Sequence, residues 1–171
     1  MRSIEIERVE FIVTYRCNSN CRHCLIQPSE HHGETMTPEF AREMAEKICM
    51  HYHPVSIMTF GGEPLLESVI DATLSIHQVA KQYRIHHRQL LTNGIWKHNW
   101  GQKPSSAIPT AEEQRYIEEV ASRVHAAGVT HVELSLDLFH QDILPLEFVF
   151  AAGAALRRSE EHTSELQSPN T

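Results

Sequence analysis

The sequence predicts an α/β fold in which parallel strands with helices outside them curl into part of a barrel. Three observations predict it. A β-rich run, a turn and a helical stripe succeed one another four times along 171 residues. Residues 131–137 alternate, with Val132, Leu134 and Leu136 on one face and Glu133, Ser135 and Asp137 on the other. That pattern suits a strand packed on helices on one side and facing a cavity on the other, since strands buried on both faces read as continuous apolar runs. The residues with chemical potential all come just after strands, and in a parallel sheet those ends share one edge, where ligands bind.

The elements are expected in this order. Residues 9–15 are mostly apolar or β-branched and form the first strand, which delivers the run Cys17-Asn18-Ser19-Asn20-Cys21-Arg22-His23-Cys24. Polar residues 27–34 make a loop. Thr37 is the N-cap and Pro38 the first residue of a helix whose stripe is Ala41, Met44, Ala45 and Ile48, with Cys49 near its end as a small core residue. Residues 55–60 form a second strand that stops at Gly61-Gly62-Glu63-Pro64. A helix with Leu66, Val69, Ile70 and Thr73 on one face continues toward Tyr83, and a third strand at residues 88–91 stops at Thr92-Asn93-Gly94.

Residues 95–109, with Trp96, His98 and Trp100, read as a packed insertion or a substrate-facing loop. Thr110 and Glu113 make a capping box, Ile117, Val120, Ala121 and Val124 the apolar stripe, and Gly128 the terminator of the third helix. The fourth strand is residues 131–137, and residues 144–156 begin a fourth helix with Pro145 near its first turn. Residues 1–157 are expected to be one domain. The eleven residues 158–168, from Arg158 to Ser168, match the in-frame translation of a common short-read sequencing adapter, so residues 158–171 are expected to be a non-native tail.

Composition narrows the function. A hydrophobic fraction of 41% and a charged fraction of 22% are ordinary for a globular protein. No apolar run approaches the roughly 20 residues of a membrane span, so no membrane partner is expected. The formal net charge of -7 excludes a general nucleic-acid binder, which carries a basic face. The first ten residues hold charges of both signs and no apolar core, so a cytoplasmic location is expected. Clustered cysteines without an export signal point to a metal or redox role rather than disulfides. Most of the 13 histidines are expected to be surface or packing residues.

Three of the four cysteines fall within eight residues. Three thiolates on one short loop can hold a cubane iron–sulfur cluster and leave one iron without a protein ligand. A structural zinc site is the alternative, and would need His23 or Cys49 as its fourth ligand. An iron–sulfur electron carrier is another, and usually has a fourth cysteine.

The Cys-x3-Cys-x2-Cys pattern at Cys17, Cys21 and Cys24, with Gly61-Gly62-Glu63-Pro64 downstream, resembles the radical S-adenosylmethionine (radical SAM) superfamily over residues 11–156. The resemblance implies a [4Fe-4S] cluster held by the three cysteines and S-adenosylmethionine (SAM) chelated at the open iron. Reductive cleavage of SAM would then give a 5′-deoxyadenosyl radical that abstracts a substrate hydrogen. It further implies SAM contacts from Gly61, Gly62, Glu63 and Pro64, from Ser135 and Asp137, and more weakly from Asn93. Glu63 either offers its carboxylate to the SAM ammonium or fixes the turn. His23 packs beside the cluster, and His140 either serves a substrate or lies on the surface. About four of the family's six strand–helix units are recognisable, so the chain is expected to be an incomplete core, whose own activity does not follow from the resemblance. An external one-electron reductant such as flavodoxin or ferredoxin, and a small-molecule or peptide substrate, complete the implied partners.

Overall fold

A computed structural model describes residues 6–19, 21–24, 26, 34–97, 106–141 and 144–167, with side chains to residue 159 except at 138. The loop expected at residues 27–34 and the centre of the 95–109 segment lie largely outside the described residues. Four strands, β1 (Arg8–Thr14), β2 (Ser56–Gly61), β3 (His87–Thr92) and β4 (His131–Leu134), form one parallel sheet in the order β1-β2-β3-β4. Helices α1 (Pro38–Tyr52), α2 (Ile70–Gln82) and α3 (Ala111–Ala126) connect them, and α4 (Leu138–Gln141) and α5 (Leu146–Gln167) come after β4. This is the α/β arrangement of a partial barrel, and it brings the four strand ends to one edge.

Local chemistry sets the helix starts. Thr37 Oγ1 accepts from Phe40 N–H at 3.2 Å, with Pro38 at the first position, where a missing N–H costs nothing. Ala41, Ala45 and Cys49 then form a narrow face of small residues with no exposed surface, which lets α1 lie close to its neighbours. Thr110 and Glu113 form the reciprocal capping box at the start of α3. Gly128, at φ +87, ends α3 in a conformation only glycine adopts freely.

The core has two parts. Phe11, Val13, Ile57, Ile76 and Val79 pack between α1, α2 and the first two strands. Leu65, Leu90, Ile117, Val120, Phe148 and Ala152 pack between β3, α3 and α5. Helix α2 belongs to both, and nine of its residues are buried.

Three boundaries differ from expectation, the first two for a tertiary reason and the third for a local one. Helix α2 begins at Ile70 rather than near Leu66, because the preceding residues turn back through Thr73 Oγ1–H to Pro64 O at 2.7 Å. Strand β4 ends at Leu134, although alternation continues to Asp137. Ser135 N–H still donates to Thr92 O at 2.9 Å, but β3 ends there, Leu136 is 52% exposed, and Asp137 caps the short helix α4 instead of extending the ladder. The backbone of α5 continues to Gln167, through the adapter-like run, whose Glu, Leu and Gln residues are good helix formers.

Candidate functional site

The strand ends enclose a cavity of about 290 Å³. Cys17, Cys21 and Cys24 line one side, and Gly61, Gly62, Asn93 and Ser135, from three different strand ends, line the others. Elements separated by more than a hundred residues therefore face one space. Glu63, Pro64 and Asp137 are not among its lining residues: Glu63 and Pro64 are buried behind the wall, and Asp137 stands at the rim.

The path into the cysteine loop is shaped by a register slip. β1 pairs regularly with β2 as far as Ile12 opposite Phe60, then shifts so that Thr14 faces Gly61. Such a slip bends a strand and re-aims the residues beyond it. The Gly-Gly-Glu segment then runs against the chain entering the loop, with Gly62 N–H donating to Thr14 O and Glu63 N–H to Arg16 O, both at 2.8 Å. A Cβ on Gly61 would lie 2.4 Å from Thr14 O, and one on Gly62 only 1.9 Å from Arg16 O. The glycines are thus required by the close approach of the protein's own backbone, whatever ligand passes in front of them.

Glu63 fixes the turn. Its side chain has no exposed surface, Oε1 accepts from Leu65 N–H at 2.9 Å and from Thr92 Oγ1–H at 2.7 Å, and Oε2 accepts from Asn93 N–H at 2.8 Å. Burial pushes its carboxyl up to about 7, against the lowering effect of those three bonds. It joins the end of β2 to the end of β3. Asn93 in turn reaches the cysteine loop: its Nδ2 donates to Asn18 Oδ1 at 2.8 Å and to Ser19 Oγ at 3.3 Å.

The thiols are electrostatically coupled. Burial, the Glu63 charge and Cys21 push Cys17 up to about 12, although Ser19 N–H donates to its Sγ at 3.4 Å. Burial, Cys24 and Asp137 raise Cys21. Cys17 and Cys21, held beside Glu63 and Asp137, resist ionising alone, and a bound iron centre supplies the positive charge that deprotonates such ligands. The donor set therefore fits a cluster. Cys49 lies on the buried face of α1, in the core and not in the cavity wall, and His23 Nε2 sits 3.7 Å from Asp137 Oδ2. Cys49 is therefore away from the loop's cysteine set, and among the described residues His23 groups with Asp137 and His140 rather than with the cysteines.

At the rim, His23, Asp137 and His140 form a cluster that the sequence reading did not assemble. Asp137 Oδ1 accepts from Phe139 N–H at 2.9 Å and His140 N–H at 3.1 Å, and Oδ2 pairs with His140 Nδ1 at 2.6 Å. Partial desolvation opposes ionisation, but the bonds from His140 and Phe139 hold the Asp137 carboxyl below its usual range. The His23 ring stacks on Phe139 at 4.8 Å and meets His140 edge-on at 5.1 Å. The only signal in the sequence is an Asp with free N–H groups two and three residues later, the pattern of a cap.

A family model described as the radical SAM superfamily matches residues 11–150. The chain belongs to the radical SAM superfamily. Members of this superfamily use a [4Fe-4S] cluster and S-adenosylmethionine, and they are generally enzymes. No curated protein matches the chain significantly. No helix among the described residues of this radical SAM protein is long and apolar enough to cross a membrane.

Proposed function

We propose that this chain is the catalytic core of a radical SAM enzyme, in which Cys17, Cys21 and Cys24 hold a [4Fe-4S] cluster and the adjoining cavity receives SAM. The observation that carries this reading is the meeting of the three cysteines with Gly61, Gly62 and Ser135 around one cavity. When bound, the cluster would supply the electron for reductive cleavage of SAM, the radical chemistry by which such an enzyme activates a substrate C–H bond.

The protein's own residues bind and orient. Gly61 and Gly62 form the wall beside the chain that enters the cysteine loop, and Pro64 and the Glu63 carboxylate keep the turn behind them rigid. Ser135 offers a hydroxyl to the polar part of SAM. Asp137 and His140 stand where a ribose or a substrate would enter, with Asp137 holding the imidazole in one orientation. The reductant is a small one-electron carrier of the flavodoxin or ferredoxin class, the substrate a small molecule or peptide, and the site of action the cytoplasm. Residues 158–171 are outside this reading.

The test is anaerobic reconstitution of the chain with iron and sulfide, and then addition of SAM and dithionite. The reading predicts a brown, oxygen-sensitive protein and reductant-dependent 5′-deoxyadenosine. A colourless zinc protein whose spectrum ignores dithionite and SAM would overturn it.

A further inference from the structure

We propose that Asn93 and Asn18 are a positioning lock for the cysteine loop, so that Asn93, though it lines the cavity, acts on the cluster through the loop rather than through SAM. The proposal rests on the cluster reading above. Both side chains are almost fully buried, at 6% and 2% exposure, and their hydrogen bonds can be counted.

Asn93 Nδ2 carries two hydrogens. One goes to Asn18 Oδ1 at 2.8 Å and the other to Ser19 Oγ at 3.3 Å. Asn93 Oδ1 accepts from Ile95 N–H at 2.8 Å. No Asn93 donor remains for a ligand, and recruiting one would leave a buried partner on the loop unsatisfied. Asn18 closes the loop from the other side, its Nδ2 donating to Ile95 O at 2.5 Å. Asn93, Asn18 and Ile95 form a closed ring, with Ser19 as a branch, in which the turn after β3 grips the two residues just past Cys17.

The ring has an anchor and an output. Its anchor is Glu63, whose carboxylate holds Asn93 N–H and Thr92 Oγ1–H while its own N–H holds Arg16 O, on the near side of Cys17. Its output is Ser19, whose N–H points at Cys17 Sγ at 3.4 Å. Hydrogen bonds to cluster sulfurs and their ligands help set reduction potential. The lock thus fixes both the place of Cys17 and the donor that stabilises its thiolate.

The experiment uses the full chain and three variants, Asn93→Ser, Asn18→Ala and the double. Serine can still accept from Ile95 N–H, so the turn keeps a polar side chain, but it cannot reach Asn18. Three quantities are read: hydrogen exchange of amides 17–24 without iron, the electron paramagnetic resonance signal of the reduced cluster without SAM, and the SAM dissociation constant. The lock predicts about tenfold faster loop exchange in either single variant, as expected for losing one buried hydrogen bond. It predicts an altered cluster signal before SAM is added, and a double variant little worse than the singles. Unchanged exchange and an unchanged signal overturn the lock, and do so in favour of a SAM contact if the dissociation constant alone rises tenfold. If the parent chain takes up no cluster, the functional reading fails, while the exchange comparison still decides whether the lock exists.

Discussion

Glu63 and His77 are both fully buried, and each has a consequence that a single substitution exposes. Every partner of the Glu63 carboxylate among the described residues is a donor, so Glu63→Gln turns an amide N–H toward another donor. The expected loss is about 1–3 kcal/mol of stability, read as a lower urea midpoint; an unchanged midpoint would show that the turn does not depend on the carboxylate. His77 Nε2 meets Thr59 Oγ1 at 2.8 Å, while Nδ1 has no partner among the described residues. Burial, with the Arg88 charge, lowers its pKa from 6.5 to about 3. The unfolded chain therefore binds a proton that the folded chain refuses, and this contribution to stability is lost as pH falls from about 6.5 toward 3. Glu63, raised from 4.5 to about 7, acts in the opposite sense, its contribution being lost as pH rises through that window. The two are separated by difference: His77→Leu is expected to lose less stability than the parent between pH 7 and pH 5. Equal slopes would contradict the burial of a neutral imidazole.

At the scale of elements, the join between β1 and β2 governs the site. A methyl group on Gly62 would overlap Arg16 O, a backbone atom that cannot rotate away. Gly62→Ala is expected to cost about 1–3 kcal/mol in thermal or urea unfolding and to impair iron uptake. Gly153 offers the contrast, since the nearest atom to its added Cβ is Leu134 Cδ1 at 3.3 Å, the end of a side chain that can shift. Full stability and iron uptake in Gly62→Ala would show that the glycine serves no close approach. The features that announced themselves in the sequence are those written in adjacent residues: the Thr37-Pro38 start, the Thr110 and Glu113 box, and the turns that stop β2 and β3. The features that did not are set by distant partners. Nothing next to Asp137 says that β3 has already ended, and nothing next to Glu63 says that its acceptors are claimed by Thr92 and Asn93. Sequence therefore reveals which residues gather at the site more readily than what each one does there.

On the scale of the molecule, four strand–helix units deliver three cysteines, two glycines and a serine to one edge of a parallel sheet, and membership of the radical SAM superfamily says what chemistry such an edge supports. The adapter-like run carries its own test: source DNA read past codon 157 is expected to depart from the codons for residues 159–171, and native codons there would remove that explanation. The central claim is the tridentate cluster. It is tested most directly by iron and sulfide analysis with electron paramagnetic resonance on the reduced, anaerobically reconstituted chain, with and without SAM, in the parent and in Cys17→Ala, Cys21→Ala, Cys24→Ala and Cys49→Ala. The account predicts about four irons per chain, a signal that shifts when SAM is added, loss of both in the first three variants and retention of both in Cys49→Ala. A cluster that needs Cys49, or a signal indifferent to SAM, would contradict it.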